Sequence, residues 1–130
     1  MLKVRTVSEK DFEDFKKYVL EVVDLLGLVD WLIAFDKRKL KDNNAEIAYS
    51  PVGKICTITI STQIVIADTV DKSLKRLAKH EVIEGLLLGK LSQYACGRCK
   101  VYEDEQVDEE VHRIVRILEK RILLKGEKLT

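Results

Sequence analysis

Ile55-Cys56-Thr57-Ile58-Thr59-Ile60-Ser61-Thr62 alternates apolar and hydroxyl-bearing side chains. Successive side chains of a strand point to opposite faces, so Cys56, Ile58 and Ile60 share one face and Thr57 and Thr59 the other. A strand with one apolar and one polar face fits an antiparallel sheet packed on one side and wet on the other. The neighbouring segments supply partners. Asp30-Trp31-Leu32-Ile33-Ala34-Phe35 is rich in strand formers, and Ala45 to Tyr49 follows the turn signal Asp42-Asn43-Asn44. Ser50-Pro51-Val52-Gly53 marks the next turn, and Gln63 to Ile66 either extends the alternating strand or forms a short fourth one.

Helical periodicity flanks these strands. From Ser8 to Leu26, Phe12, Phe15, Val19, Val22, Val23 and Leu26 recur at three- and four-residue steps, which predicts an amphipathic helix. Ser8 fits its N-cap, Glu9 and Asp11 suit the positive end of its dipole, and Gly27 suits its C-terminal stop. A second helix is expected from about Asp71 to Leu91, and a last one from about Glu105 to Leu124. The last is acidic at its start (Glu105, Asp108, Glu109, Glu110) and basic at its end (Lys120, Arg121, Lys125). Clustered strands with helices to either side give an α+β expectation: N-terminal helix, small mainly antiparallel sheet of three or four strands, then two helices. With 130 residues and no linker-like stretch, residues 1–130 read as one domain.

Bulk composition narrows the function classes. Apolar residues make up 46% and charged residues 35%, so a core is affordable and the surface is charged. Net charge is +1, so no global basic field drives nucleic-acid binding. No stretch approaches the roughly 18 apolar residues of a membrane span, and no signal-peptide pattern opens the sequence. Three cysteines, Cys56, Cys96 and Cys99, cannot all pair within one chain, so a reducing cytoplasm is expected.

The chemistry concentrates in Lys79-His80-Glu81-Val82-Ile83-Glu84-Gly85. His80 and Glu84 lie one helical turn apart on one face, so both can ligate one ion. Glu81 stands about 100° further round, beside such an ion without binding it. Helices of the His-Glu-x-x-His type use two ligands one turn apart with a general base next to the first. The other histidine, His112, sits in the last helix. If the two helices pack as antiparallel neighbours, His112 can face His80 and Glu84 and complete a two-histidine, one-carboxylate set, a catalytic zinc combination. Glu81 would then accept the proton of water as general base. The same residues also fit a solvated histidine beside two acids on a helix surface.

The chain as a whole resembles a group of small metallopeptidase-like proteins of phages and prophages, related in plan to minimal zincins such as the SprT-like and IrrE-like domains. The resemblance is carried by Leu26 to Ile33 after a first helix, by Ala45 to Ala48 and Ile55 to Ile60, by His80-Glu81-Val82-Ile83-Glu84, and by Glu110 to Glu119. It implies a zincin-like order of helix, small sheet, metal helix and final helix, a zinc cofactor, and a metal-dependent hydrolase acting on a peptide or protein substrate. His80 and Glu84 would be metal ligands and Glu81 the base. Glu84 stands where zincins carry histidine, and a carboxylate there admits Mn or Fe beside Zn. The alternative is a non-catalytic zincin-like scaffold, or an assembly or regulatory protein of phage origin.

Three further features are readable. Cys96-Gly97-Arg98-Cys99 has the spacing of half a zinc knuckle, of a redox pair, or of plain loop cysteines. Lys72, Lys75, Arg76 and Lys79 form a basic run expected as a solvated helix face, and Lys37-Arg38-Lys39-Leu40-Lys41 reads as a basic hairpin loop. Neither run has interleaved aromatics, which argues against nucleic acid. Val107, Val111, Ile114, Leu118 and Ile122, flanked by Val115 and Ile117, line one face of the last helix and leave room for a homodimer through it.

Overall fold

The computed structural model describes residues 2–50, 53–89 and 104–129. Cys96 and Cys99, the Pro51-Val52 turn and the expected end of the second helix at Leu91 lie outside them. The architecture is α+β. In chain order it runs β1 (Lys3–Thr6), α1 (Glu9–Leu25), β2 (Leu32–Lys37), β3 (Ala45–Ser50), β4 (Ile55–Ile60), β5 (Gln63–Ile66), α2 (Val70–Glu81), a π-helical segment (Val82–Leu87) and α3 (Asp104–Arg121).

The alternating strand β4 is the centre of a three-stranded sheet ordered β2-β4-β3. It pairs antiparallel with β3, from Ala45 opposite Ile60 to Ser50 opposite Ile55. It pairs parallel with β2, from Leu32 opposite Ile55 to Lys37 opposite Ile60. The sheet is therefore mixed, and the basic segment after β2 crosses to the far side of β4 instead of closing a hairpin. The most apolar strand takes the place where both edges are paired. The face expected to be wet is partly covered, since Thr59 is buried. Asp36 and Glu46 stand opposite Thr59 on either side, and Arg38 pairs with both, at 3.6 and 3.0 Å, across that row.

At Ser61-Thr62 the chain leaves this sheet. β5 pairs antiparallel with β1, a strand that no sequence pattern announced, to form a second, two-stranded sheet. Asn44 ties the two together: its side-chain amide accepts from Val65 N–H at 3.0 Å and donates to Val65 C=O at 3.2 Å. That occupies the outer edge of β5. The outer edge of β3 is different. Ser61 N–H donates to Asn44 C=O, so antiparallel alternation turns the backbone groups of Ala45, Ile47 and Tyr49 away from β4.

Helix α1 begins as its sequence requires. Ser8 accepts from Asp11 N–H, Asp11 accepts from Ser8 N–H, and Arg5 of β1 clamps the Asp11 carboxylate at 3.0 and 3.2 Å. Gly27, at φ +70°, ends the helix in the left-handed region. Phe15, Val19, Val22 and Val23 meet Ile58, Ile60, Leu74, Ala78 and Val82 in one core. Helices α1 and α2 therefore share the apolar face of the sheet.

Candidate metal centre

Thr69 caps α2 through Lys72 N–H, and the helix then buries Leu74, Ala78 and Val82 at core spacing. This fixes which way the intervening residues point. His80 and Glu84 lie on the flank turned to α3, and Glu81 points inward, only 7% exposed. From Val82 the hydrogen bonding widens to i→i+5, as in Leu88 N–H to Ile83 C=O at 2.9 Å. Such π turns are frequent at functional sites. Gly85 lies in it against β3, where a Cβ would come within 2.7 Å of Ile47 side-chain atoms. Glycine thus lets the helix approach the edge strand beside the site.

On α3, Val115 is fully buried, and His112 and Glu119 stand one turn to either side of it. The helices run antiparallel, since His80 meets Glu119 while Glu84 meets His112. His80 Nε2 is 2.6 Å from Glu84 Oε2, and His112 Nε2 is 3.7 Å from Glu84 Oε1. The two imidazole centroids are 6.4 Å apart. The remaining ring nitrogens are taken: His80 Nδ1 is 2.8 Å from Glu119 Oε1, and His112 Nδ1 is 2.8 Å from the Asp108 carbonyl oxygen. A carbonyl only accepts, so His112 Nδ1 donates to it, and the ring's Nε2 faces Glu84. Both histidines thus turn Nε2 toward one carboxylate while a second partner orients each ring, the arrangement that fixes metal-ligating histidines.

Sequence reasoning singled out His80, Glu81, Glu84 and His112, and did not single out Glu119. Glu119 is seven residues from His112 on the same helix flank, and that spacing was the available signal. Its carboxylate is 10% exposed, with Arg76 Nε 3.9 Å from its other oxygen. The basic run ahead of His80 is also corrected. Lys75 and Lys79 are buried rather than solvated. Lys79 pairs with Glu127 at 2.6 Å and donates to the Glu119 carbonyl, and Lys75 pairs with Asp71 at 3.1 Å. These lysines fasten α2 to the segment that follows α3.

Electrostatics separates the two acids of the helix. Burial pushes the Glu81 carboxyl up to about 7, with His80 opposing and the charges of Glu84, Glu46 and Glu119 adding. The hydrogen bond from His80 instead holds Glu84 below its ordinary range, against a smaller cost of burial. The bonds to Glu119 and then Glu84 raise His80 to about 10, with burial opposing. His80 and Glu81 both open onto a cleft of ≈520 Å³ bounded by Asn43, Asn44, Asp68 and Arg76.

Among the described residues, no group of three or more His, Cys, Asp or Glu stands in a metal-holding arrangement. Two ligands of a tetrahedral zinc, each about 2.0–2.1 Å from the ion, stand about 3.3 Å apart. The pairs here, at 2.6 and 3.7 Å, straddle that value: His80 and Glu84 touch directly, and His112 stands back. The donor set, two imidazole Nε2 atoms and a carboxylate, is of the right chemistry for zinc, manganese or iron(II). The buried Cys56, its thiol pushed up to about 11 by burial, is inert by comparison.

No helix among the described residues is long and apolar enough to cross a membrane. No protein-family model, no curated protein and no solved structure matches the chain.

Proposed function

We propose that the chain is a zincin-like, metal-dependent hydrolase of peptide bonds, with His80, Glu84 and His112 holding a divalent ion and Glu81 as general base. The observation that carries this reading is the convergence of both Nε2 atoms on Glu84 while Glu119 and the Asp108 carbonyl occupy both Nδ1 atoms. A bound divalent ion supplies Lewis acidity toward a carbonyl and makes water more acidic. The chain's own part is to place a proton acceptor beside it. Glu81, with its carboxyl near 7, takes a proton at neutral pH and gives it back to a leaving amine. Glu81 is only 7% exposed, and the cleft it shares with His80 gives a substrate access to it. The edge of β3 that is unpaired among the described residues runs beside the helix that carries the site and offers backbone groups of Ala45, Ile47 and Tyr49 to an extended peptide.

One observation favours a second reading, a non-catalytic scaffold. The direct His80–Glu84 contact, with His80 also bonded to Glu119, is a complete ion-pair network without any ion. An activity assay separates the two. The zinc-, manganese- or iron(II)-loaded protein is expected to cleave a denatured protein substrate, to lose this with chelator and to regain it when metal is restored. Absence of cleavage with all three metals would favour the scaffold.

A further inference from the structure

The two helices that carry the site also build a basic groove that the reaction does not use. Lys72 and Arg76 lie one turn apart on α2, and Arg116 and Lys120 lie one turn apart on α3; together they border a groove of ≈450 Å³. A second groove adjoins it through Lys72, Lys79, Glu119 and Lys120, and adds Arg121 and Lys128 on its far side. Among the described residues the two are lined by eight lysines and arginines and three acids; Lys75 and Lys79 are buried in ion pairs, which leaves six exposed cations in a chain whose net charge is only +1. Charge is therefore segregated onto this face.

The three acids there are already engaged. Asp71 bonds Tyr18 and Lys75, Glu119 bonds His80, and Glu127 bonds Lys79. Among the described residues, Lys72 has only Asp68, at 3.4 Å in the open, and Arg76 has only the 3.9 Å approach to Glu119, with its side chain 77% exposed. Arg116 and Lys120 are exposed, with no acidic partner among the described residues. Exposed cations without partners are poised to take anions from solution.

We propose that this groove docks an acidic segment of the polypeptide substrate, outside the bond that is cut. The inference rests on the peptidase reading above and deepens it. Three observations favour a peptide over a phosphate backbone. Ion-paired carboxylates interrupt the row of cations, which suits separate side-chain carboxylates better than a continuous line of phosphates. Exposed Leu123 and Leu129 border the adjoining groove and give apolar contacts. Among the described residues, no aromatic side chain lines either groove for a base to stack on. Arg76 borders both this groove and the cleft that holds His80 and Glu81, so one extended chain can pass from docking site to reaction site.

The test is fluorescence anisotropy of a labelled peptide of alternating Glu and Leu with the full, chelator-treated chain at low salt, beside Arg116→Ala/Lys120→Ala. A labelled DNA duplex of similar length is the comparison. The proposal expects saturable peptide binding that weakens with added salt, falls at least tenfold in the double variant, and exceeds duplex binding. No peptide binding, binding unchanged in the double variant, or tighter binding of the duplex would each overturn it. The readout needs neither metal nor turnover. Peptide binding in a chain that never takes up metal would spare this groove and sink the hydrolase reading; metal uptake without peptide binding would do the reverse.

Discussion

Glu81→Gln is expected to abolish turnover, keep the metal, and make the metal-free protein more stable at neutral pH. The loss of rate follows from removing the proton acceptor, an effect of about 10²–10⁴-fold for general base catalysis. Metal is retained because Glu81 is not among the donors that converge on Glu84. The gain in stability follows from the buried carboxyl. Its pKa is near 7 when folded, against an ordinary value of 4.5. Between those values the folded protein holds a proton that the unfolded chain has released, so stability falls as pH rises from 4.5 through 7 and then levels off. A glutamine carries no such penalty. The variant should match the parent near pH 4 and exceed it by about 3 kcal/mol at pH 8, at about 1.4 kcal/mol per pH unit of separation. In a domain of this size that is a rise in melting temperature of about 10 °C. Thermal melts at the two pH values in chelator check it; an equal melting temperature at pH 8 would mean that Glu81 is not a desolvated acid. Normal turnover by the variant would remove it from the mechanism.

Glu119→Ala should weaken metal binding about 10–100-fold without changing the metal's stoichiometry, the usual cost of losing the partner that orients a ligating histidine. Of the proposed ligands it reaches the far nitrogen of His80, with Arg76 beside its other oxygen, so it is a positioning residue. Glu119→Gln keeps a hydrogen-bond acceptor and loses the charge, and should fall between the parent and the alanine variant. Competition titration against a zinc-binding dye measures all three, with circular dichroism confirming the fold. Equal affinity in the parent and the alanine variant would reduce Glu119 to an ordinary ion-pair partner.

How far these elements were legible in the sequence depends on how local their causes are. The alternation of β4, the capped and amphipathic α1 and the turning Gly27 are local, and they stand where the pattern puts them. Strand β1 is four residues, all exposed, with no apolar alternation to announce it. Its place is set by β5 and by the Arg5–Asp11 clamp. The parallel pairing of β2 with β4 depends on which strand is buried deepest, which is a comparison between segments and not a property of either. The same holds for Lys75 and Lys79. A lysine on a helix reads as solvated until a partner such as Glu127, far away in sequence, arrives beside it. Within the site, the positions of His80, Glu81 and Glu84 follow from helical spacing. The meeting of His112 with Glu84 needed the antiparallel packing of α2 and α3, which spacing suggests and only the fold supplies.

The direct measurement is metal content of the purified chain by elemental analysis, beside His80→Ala and His112→Ala. Near-stoichiometric zinc, manganese or iron in the parent, lost from both variants, is the expected result, because the two histidines stand on different helices and share only Glu84 between them. No metal after reloading, or metal that survives His112→Ala, would contradict a centre built by α2 and α3 together.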